Sequence, residues 1–449
     1  MRTFFVVILL ALVSGSWSLC NLNIREPFPV VAKIFGSKTA ILKQPLTNVE
    51  LSNNETVTFY CPQGVRISGP SNSYNNPSDD YYDPSERTIN RPTVINQPTA
   101  DLTCGDDGIY LDEQRIIEVT SGGYVSCNAD VTRSLYESNV SLIGCDPVDA
   151  MTLVIGYKLI RLTEVKLLAL CYDLSASQLR FVNFLAYPAK NVLLTPANTD
   201  EVLGRLQLDN IVSGLDKYFS YITVSQFNEL SKQQTQLGEL YDAEMFDYSS
   251  LLQDQQQQRD LEQYNHLLNI VWLRNLRKGN WKHWLQALRA ANDDDDDKFE
   301  LRIGVSGMAT MPLGQRCNVS RSLQLLDSNS GNSLQVPAHV WAHVRSLQPT
   351  GTVADEFVLV AHNSPYVDVL QLSTFCDDIC HEIPWLRKSL FAELHLLPIF
   401  GVVHCCRVDQ VDKLTDFAYG KQKQQQAQQQ QQLSDSSPNT TTARPLIHV

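Results

Sequence analysis

The chain has 449 residues, 43% of them hydrophobic, enough for two or three domains, or one large domain and a smaller one. Its formal charge of −13 excludes a broadly basic surface that wraps nucleic acid. Asp293–Asp297 supplies five of those charges, and the remainder is still acidic, although a local basic groove stays open.

Met1–Leu19 reads as an export signal. Arg2 is the positive start, Phe4–Val13 is an apolar run, and Ser16 and Ser18 suit a cut after Ser18. A cut after Cys20 also satisfies the rule, and residues 1–20 are assigned to this segment. No later stretch reaches the roughly 18 apolar residues of a membrane span. A secreted, extracellular protein with no membrane partner is expected. Of its eleven cysteines, ten are then candidates for a disulfide framework: Cys61, Cys104, Cys127, Cys145, Cys171, Cys317, Cys376, Cys380, Cys405 and Cys406. That set is even if Cys20 leaves with the signal; otherwise one cysteine is left over. Asn54, Asn139, Asn318 and Asn439 stand in glycosylation triplets.

Residues 21–147 read as a small disulfide-stapled β-rich domain without recognisable chemistry. Within it, residues 65–102 are rich in Ser, Asn, Asp, Pro and Tyr, the composition of a flexible insertion. Tyr81 and Tyr82 lie there beside acids, the bland reading being an exposed loop. From residue 148 to 418 a second domain is expected. Thr152–Tyr157, Leu167–Tyr172 and Leu179–Tyr187 are strand-length apolar runs. Thr195–Gln258 is more helical in composition. Phe299–Ser306 alternates strictly, which predicts a strand with one buried face. Val336–Val344 is a short amphipathic piece and Glu356–Ala361 another buried strand. Cys376–Leu396 is expected to be helical up to Pro398, with Cys376 and Cys380 one turn apart. Gly401–Val408 is a last strand holding the vicinal pair Cys405-Cys406. Residues 419–449 are Gln-rich, then Ser/Thr-rich, and read as a disordered tail.

One helix is well specified. After Gly279 and Asn280, residues Trp281, Trp284, Leu285 and Leu288 recur at the spacing of a single apolar stripe, with Asn280 as N-cap. Around it lies the densest basic cluster of the chain: Arg274, Arg277, Lys278, Lys282 and Arg289. By itself the stripe describes an ordinary core helix.

Gly279-Asn280-Trp281 followed by Arg289 resembles the metal-binding helix of the secreted DNA/RNA non-specific endonucleases of the ββα-metal type. Four further stretches resemble the invertebrate branch of that family, in order: Leu301–Leu313; Val336-Pro337 with Trp341; Phe357–Pro365; and the cysteine set Cys376-Asp-Asp-Ile-Cys380, Trp385, Gly401 and Cys405-Cys406. The resemblance runs from about Thr152 to Phe417. It implies an α+β fold: a ββα-metal nuclease-like domain with a central antiparallel or mixed sheet flanked by helices, behind the β-rich domain.

The departures decide the expected function. The resemblance implies a general-base histidine in an Arg-Gly-His signature near Asp247–Leu252, yet the chain reads FDYSSLLQD there. It implies a metal-ligating asparagine where Arg277 stands, and an acidic residue where Leu285 stands. Phosphodiester hydrolysis of this kind needs a base for water and a divalent ion for the leaving oxygen. A cation at Arg277 repels such an ion, and leucine offers no oxygen. Catalytic residues and cofactor are therefore expected to be absent.

Three functions remain open. The first is a nuclease-like protein that has lost catalysis and binds extracellular DNA or RNA, or another secreted protein, through Arg274, Arg277, Lys278 and Arg289. The second is an active Mg2+- or Mn2+-dependent endonuclease with a rebuilt site using Asn269, Asn275, His266 or His283. The third is a structural secreted protein assembling through its tail, its oligomeric state undetermined. His339 and His343 stand at the spacing of a zinc pair on a helix, against which a packed pair is the bland reading. Asp293–Asp297 lacks the spaced ligands of a calcium loop. A zinc knot of Cys376, Cys380, Cys405 and Cys406 is disfavoured against disulfides.

Overall fold

In the computed structural model the described residues are 20–35, 38–42, 47–68, 93–111, 114–118, 123–145, 148–158, 164–173, 175–176, 178–186, 192–195, 203–214, 222–233, 245–253, 261–294, 299–312, 320–326, 333–366, 375–414 and 416–417. Residues 1–19 of the expected export signal, the expected tail, Cys317, Asn318, Asn439, Tyr81 and Tyr82 lie outside them. The chain divides into two units. One comprises Met1–Thr132, Leu159–Thr163 and Asn191–Pro196; the other comprises Arg133–Lys158, Glu164–Lys190 and Ala197–Val449.

The first unit is built from short alternating strands. Cys20–Ile24 buries every second residue and pairs with Asn48–Leu51 and, in parallel, with Tyr124–Cys127. Val65–Ser68 and Thr93–Ile95 complete this five-stranded sheet. A seven-stranded sheet runs from Gln114–Glu118 through Thr56–Tyr60 to Val192–Thr195. Leu22, Leu51 and Val125 of the first sheet share one core with Val57, Phe59 and Leu102 of the second. Cys20–Cys104 and Cys61–Cys127 fasten it. These close spans of 84 and 66 residues, worth about 4 kcal/mol each by restricting the unfolded chain.

This corrects two expectations. Cys20 is a buried strand residue with a disulfide partner, so a cut after it would remove a staple. Residues 65–102 are not one flexible insertion, because strands Val65–Ser68, Thr93–Ile95 and Thr99–Cys104 occupy both its ends.

The second unit is organised on nine strands. In chain order they are β1 (Ser134–Glu137), β2 (Ala150–Tyr157), β3 (Val165–Asp173), β4 (Gln178–Ala186), β5 (Asn210–Ile211), β8 (Phe299–Met308), β9 (Pro337–Ser346), β10 (Glu356–His362) and β11 (Val403–Cys406). A separate hairpin supplies β6 (Phe246–Ser250) and β7 (Asn269–Leu273). The sheet order is β5-β1-β2-β3-β4-β8-β9-β10-β11, with antiparallel neighbours throughout. Ser134–Cys145 therefore belongs to this unit, because β1 pairs along β2 and Cys145 bonds to Cys171 of β3.

The helices of the unit include α1 (Val224–Gln233), α2 (Arg274–Lys278), α3 (Asn280–Asp294), α4 (Pro384–Arg387) and α5 (Leu390–Leu394), with a short helical turn Asn265–Leu268 before β7. One sheet face, including Val340, Ala342, Leu359 and Cys405, shares a core with α3. The opposite face, including Val154, Phe181, Trp341 and Val360, forms a second core. Two covers explain why β8 is buried on both faces although its sequence alternates. Its Glu300 is buried and survives there because Arg345 and Asn183 bond to its carboxylate.

One helical expectation gives way here, and the amphipathic piece Val336–Val344 is resolved: from Pro337 it lies on β9, since Trp341 and the β-branched Val340 and Val344 suit a pleated surface. Cys376–Leu396 breaks into a turn of 3-10 helix at Cys380–Glu382, then α4 and α5. Cys376 bonds to Cys406 and Cys380 to Cys405. Adjacent strand residues face opposite sides of the sheet, so one helical face could not reach both cysteines. Pro384 then starts α4 at the first helical turn.

Candidate functional site

The α3 stripe forms as the spacing dictates. Trp281, Trp284 and Leu288 are fully buried, and Leu285 is half-buried against the same core. The three indoles of Trp272, Trp281 and Trp284 pack in a chain with ring centres 5.2 and 4.9 Å apart. Asn280 does not cap the helix as expected. Its amide donates to the carbonyls of Leu394, at 2.8 Å, and Gly401, so it ties the helix start to the C-terminal segment. The approach is close enough to need glycine on both sides. A Cβ on Gly279 would lie 2.4 Å from the Phe400 carbonyl, and one on Gly401 2.4 Å from the Leu276 Cα. Asn363 plays a matching part. Its Oδ1 accepts from the Leu273 amide at 2.6 Å, and its Nδ2 donates to Val271 and Pro337 at 2.9 Å.

These ties set the corner where β6, β7 and α2 meet. Asp247 of β6 lies across from Trp272 of β7. Arg274 and Arg277, one helical turn apart on α2, both reach its carboxylate. Arg274 Nε donates to Oδ1 at 2.8 Å; Arg277 Nε and Nη2 donate to Oδ2 at 3.0 and 2.7 Å. Burial alone would push the Asp247 carboxyl up. The bonds from Arg277 and Arg274 outweigh it and hold the group below the usual carboxylate range. A carboxylate so engaged is neither a free base nor an available metal ligand.

The other expected residues do not converge. Asn269 opens β7 and Asn275 lies on α2 past its far end, roughly 13 Å along the strand. His266 precedes Asn269, at the Ser250 end of the hairpin and three residue pairs from Asp247. His283 sits in the first turn of α3 with its ring 6.4 Å from Phe400. Lys278 and Arg289 are exposed. Asn54 and Asn139 are also exposed. Asp293 and Asp294 end α3, and the rest of that acidic run lies outside the described residues.

His339 and His343 are not a helical zinc pair. On β9 they share a face about 13 Å apart. His343 bonds Glu356 at 3.1 Å. His339 instead lies across from His362 of β10, ring centres 5.0 Å apart, and His362 lies 5.3 Å from His404 of β11. Phe375 packs against all three rings. The imidazoles of this trio make no hydrogen bond among the described residues, and His362 Nε2 and His404 Nδ1 are buried. Burial moves the His339 pKa down to about 4 and, together with His339 and His404, that of His362 down to about 3. It lowers His404 as well, against the opposing pull of Asp378.

The sequence reading missed this trio because its members are 23 and 42 residues apart and only strand register unites them. It also missed Asp247, although the FDYSS segment was in view. No known family model matches this chain, and no curated protein does.

Proposed function

We propose that the second unit is a catalytically silent relative of the ββα-metal nucleases that acts by binding. One observation carries this reading: the clamp of Arg274 and Arg277 on Asp247, at the place where the resemblance expects a base and a metal ligand. Among the described residues there, the Asp247 carboxylate is already engaged by both arginines and is a poor acceptor for a water proton. Mg2+ or Mn2+ does not fit either, since Arg277 brings positive charge and Leu285 brings an aliphatic surface. What remains for a ligand is a cationic corner: Arg274 and Arg277 keep 29% and 24% of their side chains exposed, with Lys278 beside them. Such a corner suits phosphate oxygens of extracellular DNA or RNA, or an acidic patch on another secreted protein.

The test is plasmid nicking by the purified protein with Mg2+ or Mn2+, against an EDTA control and an Arg289→Ala variant. No metal-dependent nicking is expected. Nicking that disappears in EDTA and in Arg289→Ala would establish an active enzyme with a relocated base and sink the silent reading.

A further inference from the structure

The C-terminal segment holds a second cluster, independent of the Asp247 corner. Asp378 follows Cys376, His381 lies on the turn Cys380–Glu382, and His395 ends α5. One ligand atom from each residue lies within 4.8 Å of the other two. Asp378 is half-buried, His395 buried and His381 exposed.

The hydrogen bonds around His395 leave little freedom. Nδ1 lies 2.8 Å from the Ala392 carbonyl and Nε2 lies 2.9 Å from Asp378 Oδ2. A carbonyl oxygen only accepts, so Nδ1 carries a proton. The Asp378 carboxylate also only accepts. Nε2 thus faces a carboxylate oxygen, where a bound cation would be shared with Asp378. That is the arrangement of a metal-ligating histidine, whose far nitrogen donates to a backbone carbonyl. The carboxylate is oriented in the same manner, its Oδ1 accepting the Cys405 amide at 2.9 Å. Val403 donates to the His395 carbonyl at 2.7 Å, and Ile379 to that of Cys405 at 2.9 Å, so the backbone beneath both ligands is fixed. The Cys380–Cys405 disulfide anchors the turn that presents His381. The His381 ring stands nearly perpendicular to that of His395, at 75° and 5.3 Å between centres.

We infer that Asp378, His381 and His395 form a transition-metal site for Zn2+, with a fourth position open to solvent beside His381. Two nitrogens and one carboxylate oxygen suit Zn2+ better than Mg2+ or Ca2+, which prefer all-oxygen sets. Ligand atoms on a tetrahedral zinc lie about 3.3 Å apart. Asp378 and His395 already stand near that spacing, so closing the site requires mainly a turn of the exposed His381. On binding, the ion takes the Nε2 lone pair of His395, and any proton at that nitrogen leaves to solvent.

The experiment uses the full-length, disulfide-bonded protein stripped with EDTA, titrated with Co2+ by visible absorption and with Zn2+ by calorimetry. The expected result is one equivalent of Co2+ in a tetrahedral spectrum, displaced by Zn2+. Zinc affinity should fall at least tenfold in His381→Ala. His381 is exposed, so that variant should unfold at the wild-type temperature in EDTA. Absence of one-equivalent uptake, or uptake unchanged in His381→Ala, would overturn the assignment. Neither result bears on plasmid nicking, so this site and the proposed function fail separately.

Discussion

At the Asp247 corner, polar groups come to rest by ionising together. Two guanidinium groups and a carboxylate share three hydrogen bonds. At the His339, His362 and His404 trio, polar groups come to rest by discharging. The imidazoles make no hydrogen bond among the described residues and burial keeps them neutral. The first solution is indifferent to mild acid. The folded Asp247 pKa is lowered, so its stabilisation is complete above the ordinary carboxylate pKa and is lost only as pH falls through the still lower folded value. The second is acid-sensitive. The unfolded histidines take up protons near pH 6.5, whereas folded His339 and His362 resist to about 4 and about 3. Stability is therefore full above about pH 6.5 and declines below it, well before Asp247 is affected.

The largest effect follows directly. Between pH 6.5 and 4 the free energy of unfolding should fall by roughly 1.4 kcal/mol per pH unit for each histidine kept neutral. Urea titrations across that range measure it. His362→Phe should remove about one proton's worth of slope, because the trio is then reduced to two. Asp378 and Lys413, whose ammonium stands 5.7 Å from the Phe375 ring, are the charges to hold constant. An unchanged slope would mean that the trio titrates normally.

Asp247→Ala should come next, at about 2 kcal/mol. Breaking a fully buried ion pair costs more, but this one is partly exposed and solvent screens it. The same variant sharpens the contrast between the regions, since it frees Arg274 and Arg277. Binding to a DNA duplex at low salt should then strengthen as stability drops. A variant that loses stability without gaining DNA affinity would show that the arginines serve the fold alone.

Much of this architecture was legible in the residues, for local reasons. The α3 stripe, the strands β2, β3, β4, β8 and β10, and the β-rich first unit follow from periodicity within one element. What was not legible needed partners far away in sequence. Val336–Val344 has a spacing that a helix and a strand both explain, and only pairing with β8 and β10 decides it. Asn280 looked like a cap because local chemistry favours one; the carbonyls that claim it are more than 100 residues downstream. The cysteines announced disulfides without announcing their pairing. At the Asp247 corner, the arginines were visible as a basic cluster. The carboxylate that quenches them lies 27 and 30 residues upstream, on a strand expected to be helical in composition.

The smallest effect separates binding from folding most cleanly. Lys278 is exposed at the end of α2, so Lys278→Ala should change stability by less than about 0.5 kcal/mol. If Lys278 contacts phosphate, the same change should lower the slope of log K for DNA against log salt by about 0.9, the release of one counterion. Arg277→Ala should behave differently, because Arg277 is already engaged: it should destabilise the fold while altering the salt slope by less than one ion. A Lys278→Ala protein with an unaltered salt slope would remove the lysine from the contact surface. Equal slopes for both variants would show that the Asp247 clamp opens when DNA binds, and that the quenched arginine is available after all.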